Sequence, residues 1–175
     1  MDRRTHVAHV EMKTRQPGAE MGTMVVLSGS DTGSVEEVAC SEGTQFAVKN
    51  LFFNVPARRN FLKSDQVELR HIIDEFQRVA MAHPDLSFRL QSNGSDLFNL
   101  RPGSLRQRVV AIFGSKYDER LVPLDESTDV VKISGFVGKP SFSRKTRGEQ
   151  FLFVNGRFIK HPLMHKAIMK AYEGV

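Results

Sequence analysis

The side chains with chemistry to offer fall into two places: a glycine–hydroxyl turn followed by a basic pair, and a run of cations in the last third. Gly43-Thr44 sets a hydroxyl at a turn, and Arg58 and Arg59 follow it after Leu51-Phe52-Phe53-Asn54-Val55-Pro56. The two arginines can contact a phosphate, or can pair with acids on the following helix; both readings stand at this point. Between residues 139 and 170 the sequence holds Lys139, Arg144, Lys145, Arg147, Arg157, Lys160, Lys166 and Lys170 against Glu149 alone. Positive charge of this density attracts a polyanion and binds it in a salt-dependent way, the alternative being a solvated surface.

Other chemistries find little support. Asp31-Thr32-Gly33-Ser34 is the short aspartic-protease string. That reaction needs two carboxylates sharing a proton in a dry cleft, and here the string reads as a turn in a Gly/Ser loop. The six histidines show no His-x-x-x-His pair with a third ligand, and no phosphate loop ends in Gly-Lys-Ser/Thr. One cysteine, Cys40, rules out a disulfide framework and a cysteine-rich zinc site. No apolar run reaches the ~18 residues of a membrane span. No apolar stretch follows the first six residues as a secretory signal requires, so a cytoplasmic location is expected.

These groups must be positioned by ordinary elements. Ala8, Val10 and Met12 alternate with polar neighbours as a first strand, Met24 to Leu27 suggests a second, and Val35 to Cys40 a short third. Phe46 and Val48 alternate in a further strand after the Gly43 turn. Leu51-Phe52-Phe53 is expected to extend it centrally in a sheet, until Pro56 stops the ladder and biases Val55 to an extended conformation. A helix begins near Ser64 or Asp65, with Glu68 at capping-box spacing, and places Leu69, Ile72, Ile73, Phe76, Val79 and Ala80 on one face. Arg78 lies on its polar side, where Asp74 can pair with it. Pro84 closes the helix, Leu86 to Leu90 reads as a strand, and Asn93-Gly94 is a two-residue hairpin signal into a strand near Leu97 to Leu100.

Pro102-Gly103 marks the expected boundary between a first domain, 1–102, and a second, 103–175. The charge balance changes there. Residues 1–102 carry 12 Lys and Arg against 13 Asp and Glu, residues 103–175 carry 13 against 7, and the whole chain is +5. In the second part, Leu105, Val109, Ile112 and Phe113 make a short helix stopped by Gly114. Val130 to Val137 and Glu149 to Val154 read as strands around a basic loop from Ser143 to Gly148. His161-Pro162 opens a last helix with Leu163, Ala167, Ile168, Ala171 and Tyr172 inward, Lys166 and Lys170 outward.

The wording from Gly43 to Phe61 closely resembles the signature of the MutL family of DNA mismatch-repair proteins: Gly-Thr, a strand, then Leu-Phe-x-Asn-x-Pro-Ala-Arg-x-x-Phe-Leu. His71-Ile72-Ile73-Asp74-Glu75-Phe76, Ser92-Asn93-Gly94, Arg106-Gln107-Arg108 before Phe113-Gly114, and Phe153-Val154-Asn155-Gly156-Arg157 follow in the family's order. The resemblance runs from about residue 7 to residue 175.

It implies an α+β chain: the C-terminal part of a GHKL-type α/β sandwich ATPase domain, followed by a ribosomal-protein-like βαβ transducer domain incomplete at its C-terminal end. In the intact parent, ATP and Mg would drive homodimerisation of the N-terminal regions and engagement of DNA, a mismatch-recognition protein and other repair factors. The family's Glu-x-x-x-Asn helix, Asp-x-Gly-x-Gly, Gly-Phe-Arg-Gly-Glu-Ala-Leu and His-Pro-x-Lys do not occur here. Of the ATP-site motifs only Gly43 and Thr44 remain, Thr44 on the adenine side, so the resemblance implies neither a bound nucleotide nor turnover for this piece. Double- or single-stranded DNA is the expected partner, held without sequence preference by Arg78, Arg144, Lys145, Arg147, Arg157, Lys160 and Lys166. A gyrase-B-like topoisomerase fragment and a stand-alone basic nucleic-acid-binding module are the rival readings.

Overall fold

In the computed structural model the described residues are 7–29, 31–142 and 149–173. Packing divides the chain into two units, Met1–Glu68 and Leu69–Val175. Pro102-Gly103 lies inside the second, where the Gly103 amide donates to the Pro84 carbonyl at 2.9 Å.

The first unit is built on an antiparallel sheet of β1 (His9–Arg15), β2 (Gly22–Ser28), β3 (Asp31–Val38) and β4 (Gly43–Lys49), ordered β3-β2-β1-β4. Val10 and Met12 stand opposite Leu27 and Val25 on one side and Val48 and Phe46 on the other. Val35 stands opposite Val25. Directly opposed residues point the same way, so these seven side chains form one apolar face. At its outer strands the face is open: Val35 is 68% exposed and Phe46 64%.

Two expectations in this unit are corrected. Asp31-Thr32-Gly33-Ser34 is the start of β3 and not a loop. The ladder to β2 shifts register between Val25 and Leu27, and a Cβ on Gly33 would overlap the Val26 carbonyl oxygen. Glycine is needed there because two backbones meet at a bulge. Leu51-Phe52-Phe53 is likewise no central strand. β4 ends at Lys49 on an edge of the sheet, and residues 51–54 form a turn with Asn50 and Phe52 at φ 53° and 62°. The Phe52 amide donates to the Val7 carbonyl at 2.6 Å, while Phe53 rests edge-on against His9 at 4.4 Å between ring centroids. Phe53 stays 41% exposed. α1 (Pro56–Phe61) then starts on its proline and buries none of its residues.

α2 (Asp65–Ala82) begins as the sequence predicts: the Val67 and Glu68 amides donate to the Ser64 carbonyl, and the Glu68 carboxylate accepts from the Lys63 amide at 2.9 Å. Within the second unit its expected inward face splits. Phe76 meets Phe88 and Phe98, and Ala80 and Met81 are buried, but Ile72 and Val79 are exposed. β5 (Phe88–Ser92) and β6 (Ser95–Leu100) form the expected hairpin, with Asn93 at φ 49° and Gly94 at φ 79°. Positive φ at both turn residues is what a tight turn between right-twisted strands demands.

α3 (Leu105–Phe113) has a reciprocal cap. Ser104 Oγ accepts from the Gln107 amide and Gln107 accepts from the Ser104 amide, while the Gly114 amide closes the other end on Val110. A short 3₁₀ turn (Ser115–Arg120) leads to the ribbon of β7 (Leu121–Ser127) and β8 (Lys132–Gly138). Pro123 conceals β7 from a pattern reading, but the two-stranded ribbon tolerates a residue with no amide to donate. The strand expected over Glu149 to Val154 starts only at Leu152, as β9 (Leu152–Val154), and ends where expected, Asn155-Gly156 turning the chain back into β10 (Arg157–Ile159). α4 (Pro162–Ala171) is also corrected: Ile168 and Tyr172 are half-buried as expected, joined by His165, but Leu163 is 69% exposed and Ala167 and Ala171 are exposed too. No helix among the described residues is long and apolar enough to cross a membrane.

Candidate nucleic-acid interface

Gly43 opens β4 with φ 105°, a backbone region that favours glycine. The next residue, Thr44, faces Thr14 across the ladder with 2.9 Å between their hydroxyl oxygens. The hollow beside them, lined by Lys13, Cys40, Ser41, Glu42, Gly43, Thr44 and Gln45, measures about 90 Å³. Ligand sites of drug size run to roughly 300–1,000 Å³, so the hollow does not fit a whole nucleotide. Among the described residues no group of three or more His, Cys, Asp or Glu is placed to hold a metal ion.

Arg58 and Arg59 lie on α1, both exposed. Arg59 borders a shallow hollow shared with His9, Asn50, Leu51 and Phe53. On the opposite sheet face from Thr44, Glu11 sits between Lys13 at 3.1 Å and Lys49 at 3.5 Å. Those two ammonium groups, Lys13 first, hold its carboxyl below the usual carboxylate range.

The cations of the second unit divide by how committed their side chains are. Arg78 is largely withdrawn: its side chain is 18% exposed, Nη1 is paired with Glu75, and its guanidinium carbon lies 4.6 Å from the centroid of the Phe158 ring. The expected Asp74 partner is replaced by Glu75, three residues back on the helix. Arg157, Lys160, Lys166 and Lys170 are exposed on β10, the following residue and α4, and none of them is ion-paired among the described residues. Arg144, Lys145 and Arg147, in the basic loop, lie outside the described residues.

Three residues that pattern reading passed over organise this unit. Arg108 is 2% exposed, and its Nη2 donates to the carbonyls of Pro84, Leu86 and Arg101 at 2.9, 2.5 and 3.1 Å. It also lies 5.4 Å from the Phe88 ring centroid. Burial pushes its pKa down, and Asp85 opposes that. Arg120 lies over Tyr117 and Phe142 at 5.3 and 4.8 Å. Tyr117 in turn donates to Glu149 at 2.7 Å. Sequence patterning carries no sign of a buried cation, since the carbonyls that hold Arg108 come from segments 7 to 24 residues away.

A sheet carrying the Gly-Thr turn, a long helix, and a basic unit of hairpins and helices make a mixed α/β chain, of the fold that the resemblance implies. Comparison with known proteins agrees. Residues 109–175 match the family model described as DNA mismatch repair protein, C-terminal domain. The DNA mismatch repair protein MutL of Flavobacterium psychrophilum is 59% identical over 97% of this chain and 28% of its own length. That of Phocaeicola vulgatus is 53% identical over 95% and 27%. Among solved structures, the Aquifex aeolicus MutL ATPase domain complexed with ADP superposes with a TM-score of 0.78 at 24% identity, over 95% of this chain and 65% of that one. The N-terminal domain of a DNA repair protein superposes at 0.81 and 18% identity, over 97% and 57%. The chain belongs to the MutL family of DNA mismatch-repair proteins, and it spans little more than a quarter of the length of the curated relatives it matches.

Proposed function

We propose that this chain is the stretch of a mismatch-repair protein that joins the far edge of an ATP site to a DNA-holding surface. The parent protein binds ATP with Mg, dimerises through its N-terminal region, and engages DNA together with a mismatch-recognition protein and other repair factors, in the cytoplasm. This stretch supplies Gly43 and Thr44 at the adenine edge, with Thr44 offering a hydroxyl. It supplies neither the water-activating carboxylate nor the metal ligand, so it does not hydrolyse ATP by itself. What supports DNA binding is the exposure of Arg157, Lys160, Lys166 and Lys170, free of ion pairs among the described residues, in a sequence that also carries Arg144, Lys145 and Arg147.

Nothing in the sequence forms a base-reading device such as a helix-turn-helix or zinc finger, so phosphate contacts dominate and sequence preference is slight. Affinity falls in the non-specific range, about 10⁻⁴ to 10⁻⁶ M at physiological salt. Fluorescence anisotropy with duplex and single-stranded oligonucleotides across a salt series tests this. Charge reversal at Arg144, Lys145 and Arg147, and separately at Lys160 and Lys166, should weaken binding to every sequence alike. On duplex DNA it should also flatten the logarithmic salt slope by about 0.9 for each phosphate that is no longer neutralised. Slopes equal to that of the wild type would return these cations to the solvated surface.

A further inference from the structure

Arg78 is one of the cations expected at DNA, yet its guanidinium is already engaged on both sides. One nitrogen is paired with Glu75, and the flat group lies 4.6 Å from the Phe158 ring centroid with the side chain 18% exposed. A guanidinium stacked on a ring and neutralised by a carboxylate has little left to offer a phosphate. The stacking joins α2 to β10, whose two residues stand 80 positions apart in sequence. Among the described residues β10 pairs only with β9, and each strand has three residues. An isolated two-stranded hairpin of that size is marginal in water, so its orientation depends on what holds its side chains.

Phe158 is what is held. It lies half-buried under Arg78 and beside Phe153 and Phe151, with ring centroids 5.9 and 6.2 Å away. Successive residues of a strand point to opposite faces. With Phe158 drawn inward, its neighbour Arg157 is turned outward, and it is exposed in the structure. We infer that Arg78 is a positioning residue: by clamping Phe158 it aims Arg157 at the DNA phosphates without touching DNA itself. This inference rests on the DNA-binding reading above.

The test is a salt-series anisotropy titration of a duplex oligonucleotide with Arg78→Gln, Arg157→Gln, the double variant, Phe158→Leu and Phe158→Tyr. Arg157→Gln should flatten the salt slope by about 0.9, the equivalent of one phosphate. Arg78→Gln should flatten it by up to that amount, and the double variant no further than Arg157→Gln alone. Phe158→Leu, which keeps every charge, should reproduce the Arg78→Gln slope, while Phe158→Tyr keeps the ring and the wild-type slope. A double-variant decrease of about 1.8, the sum for two independent phosphates, would make Arg78 a direct phosphate ligand and overturn the inference. An Arg78→Gln or Phe158→Leu slope equal to wild type overturns it as well. An unchanged slope in Arg157→Gln instead overturns the DNA-binding reading at β10, and this inference with it. Far-ultraviolet circular dichroism identifies any variant that has lost its fold; Phe158→Leu, the milder change, then carries the comparison.

Discussion

Arg108 ties three segments of the second unit together. A charged donor withdrawn from water is tolerable only because three carbonyls converge on it. Arg108→Met keeps the length of the side chain but leaves those acceptors without their donor. It should destabilise the chain by about 1–3 kcal/mol, the usual cost of stranding a partly buried polar group, read as a lower urea midpoint. The exposed Arg89–Asp96 pair is a milder case. Both guanidinium–carboxylate distances are 2.9 Å, and the hydrogen bond from Arg89, ahead of one from Gln91, holds the Asp96 carboxyl below its ordinary value. A depressed folded pKa contributes stability above the unfolded value of about 3.9 and loses it as pH falls through the folded value. Asp96→Asn should therefore make the urea midpoint less dependent on pH below about 4: the small contribution of this exposed pair is lost at neutral pH, and variant and wild type converge as pH falls.

At the scale of elements, the signature turn carries a different load from the one its apolar residues suggest. Leu51, Phe52 and Phe53 look like core, but they terminate an edge strand, and Phe53 is 41% exposed. Phe53→Ala should cost roughly 1–2 kcal/mol, well short of the 3–5 kcal/mol typical of a fully buried phenylalanine. Thermal unfolding measures the difference. A loss of the larger size would mean that the ring is covered in solution. The Asn93-Gly94 turn is the opposite case, since two positive φ values define it. Gly94→Ala should cost about 1–2 kcal/mol although nothing stands within 4 Å of the new Cβ, because the strain is in the backbone itself.

For the whole molecule, the absent motifs set the expected activity. With Mg-ATP the purified chain should release no phosphate above background, since it contains neither the Glu-x-x-x-Asn helix nor the lid sequence of its family. Release that co-purifies with the chain through a second column would contradict this. The open sheet face has a consequence for stability as well. Exchanging Phe46 or Val48 for Thr should change the unfolding free energy by no more than about 0.5 kcal/mol, the usual range for surface substitutions. Both side chains are more than half exposed, and Thr keeps the β preference of the strand.

What the sequence determined by itself was whatever depends on neighbours in the chain. The Asn93-Gly94 hairpin, the start of α2 just after Ser64 and the Gly114 stop follow from φ preferences and caps settled within a few residues, and the first two strands from apolar patterning. The order and wording of the motifs also made the family legible. The tertiary structure decided what depends on distant partners. It showed which of α2's apolar residues meet Phe88 and Phe98 and which stay in water, and that α4 is only half covered. It paired Pro123's strand with β8 despite the missing amide. It also moved Arg78 from a helix surface onto an aromatic ring. Burial and charge commitment are properties of long-range contact, and a side chain's type states only what it can do, not which neighbour claims it.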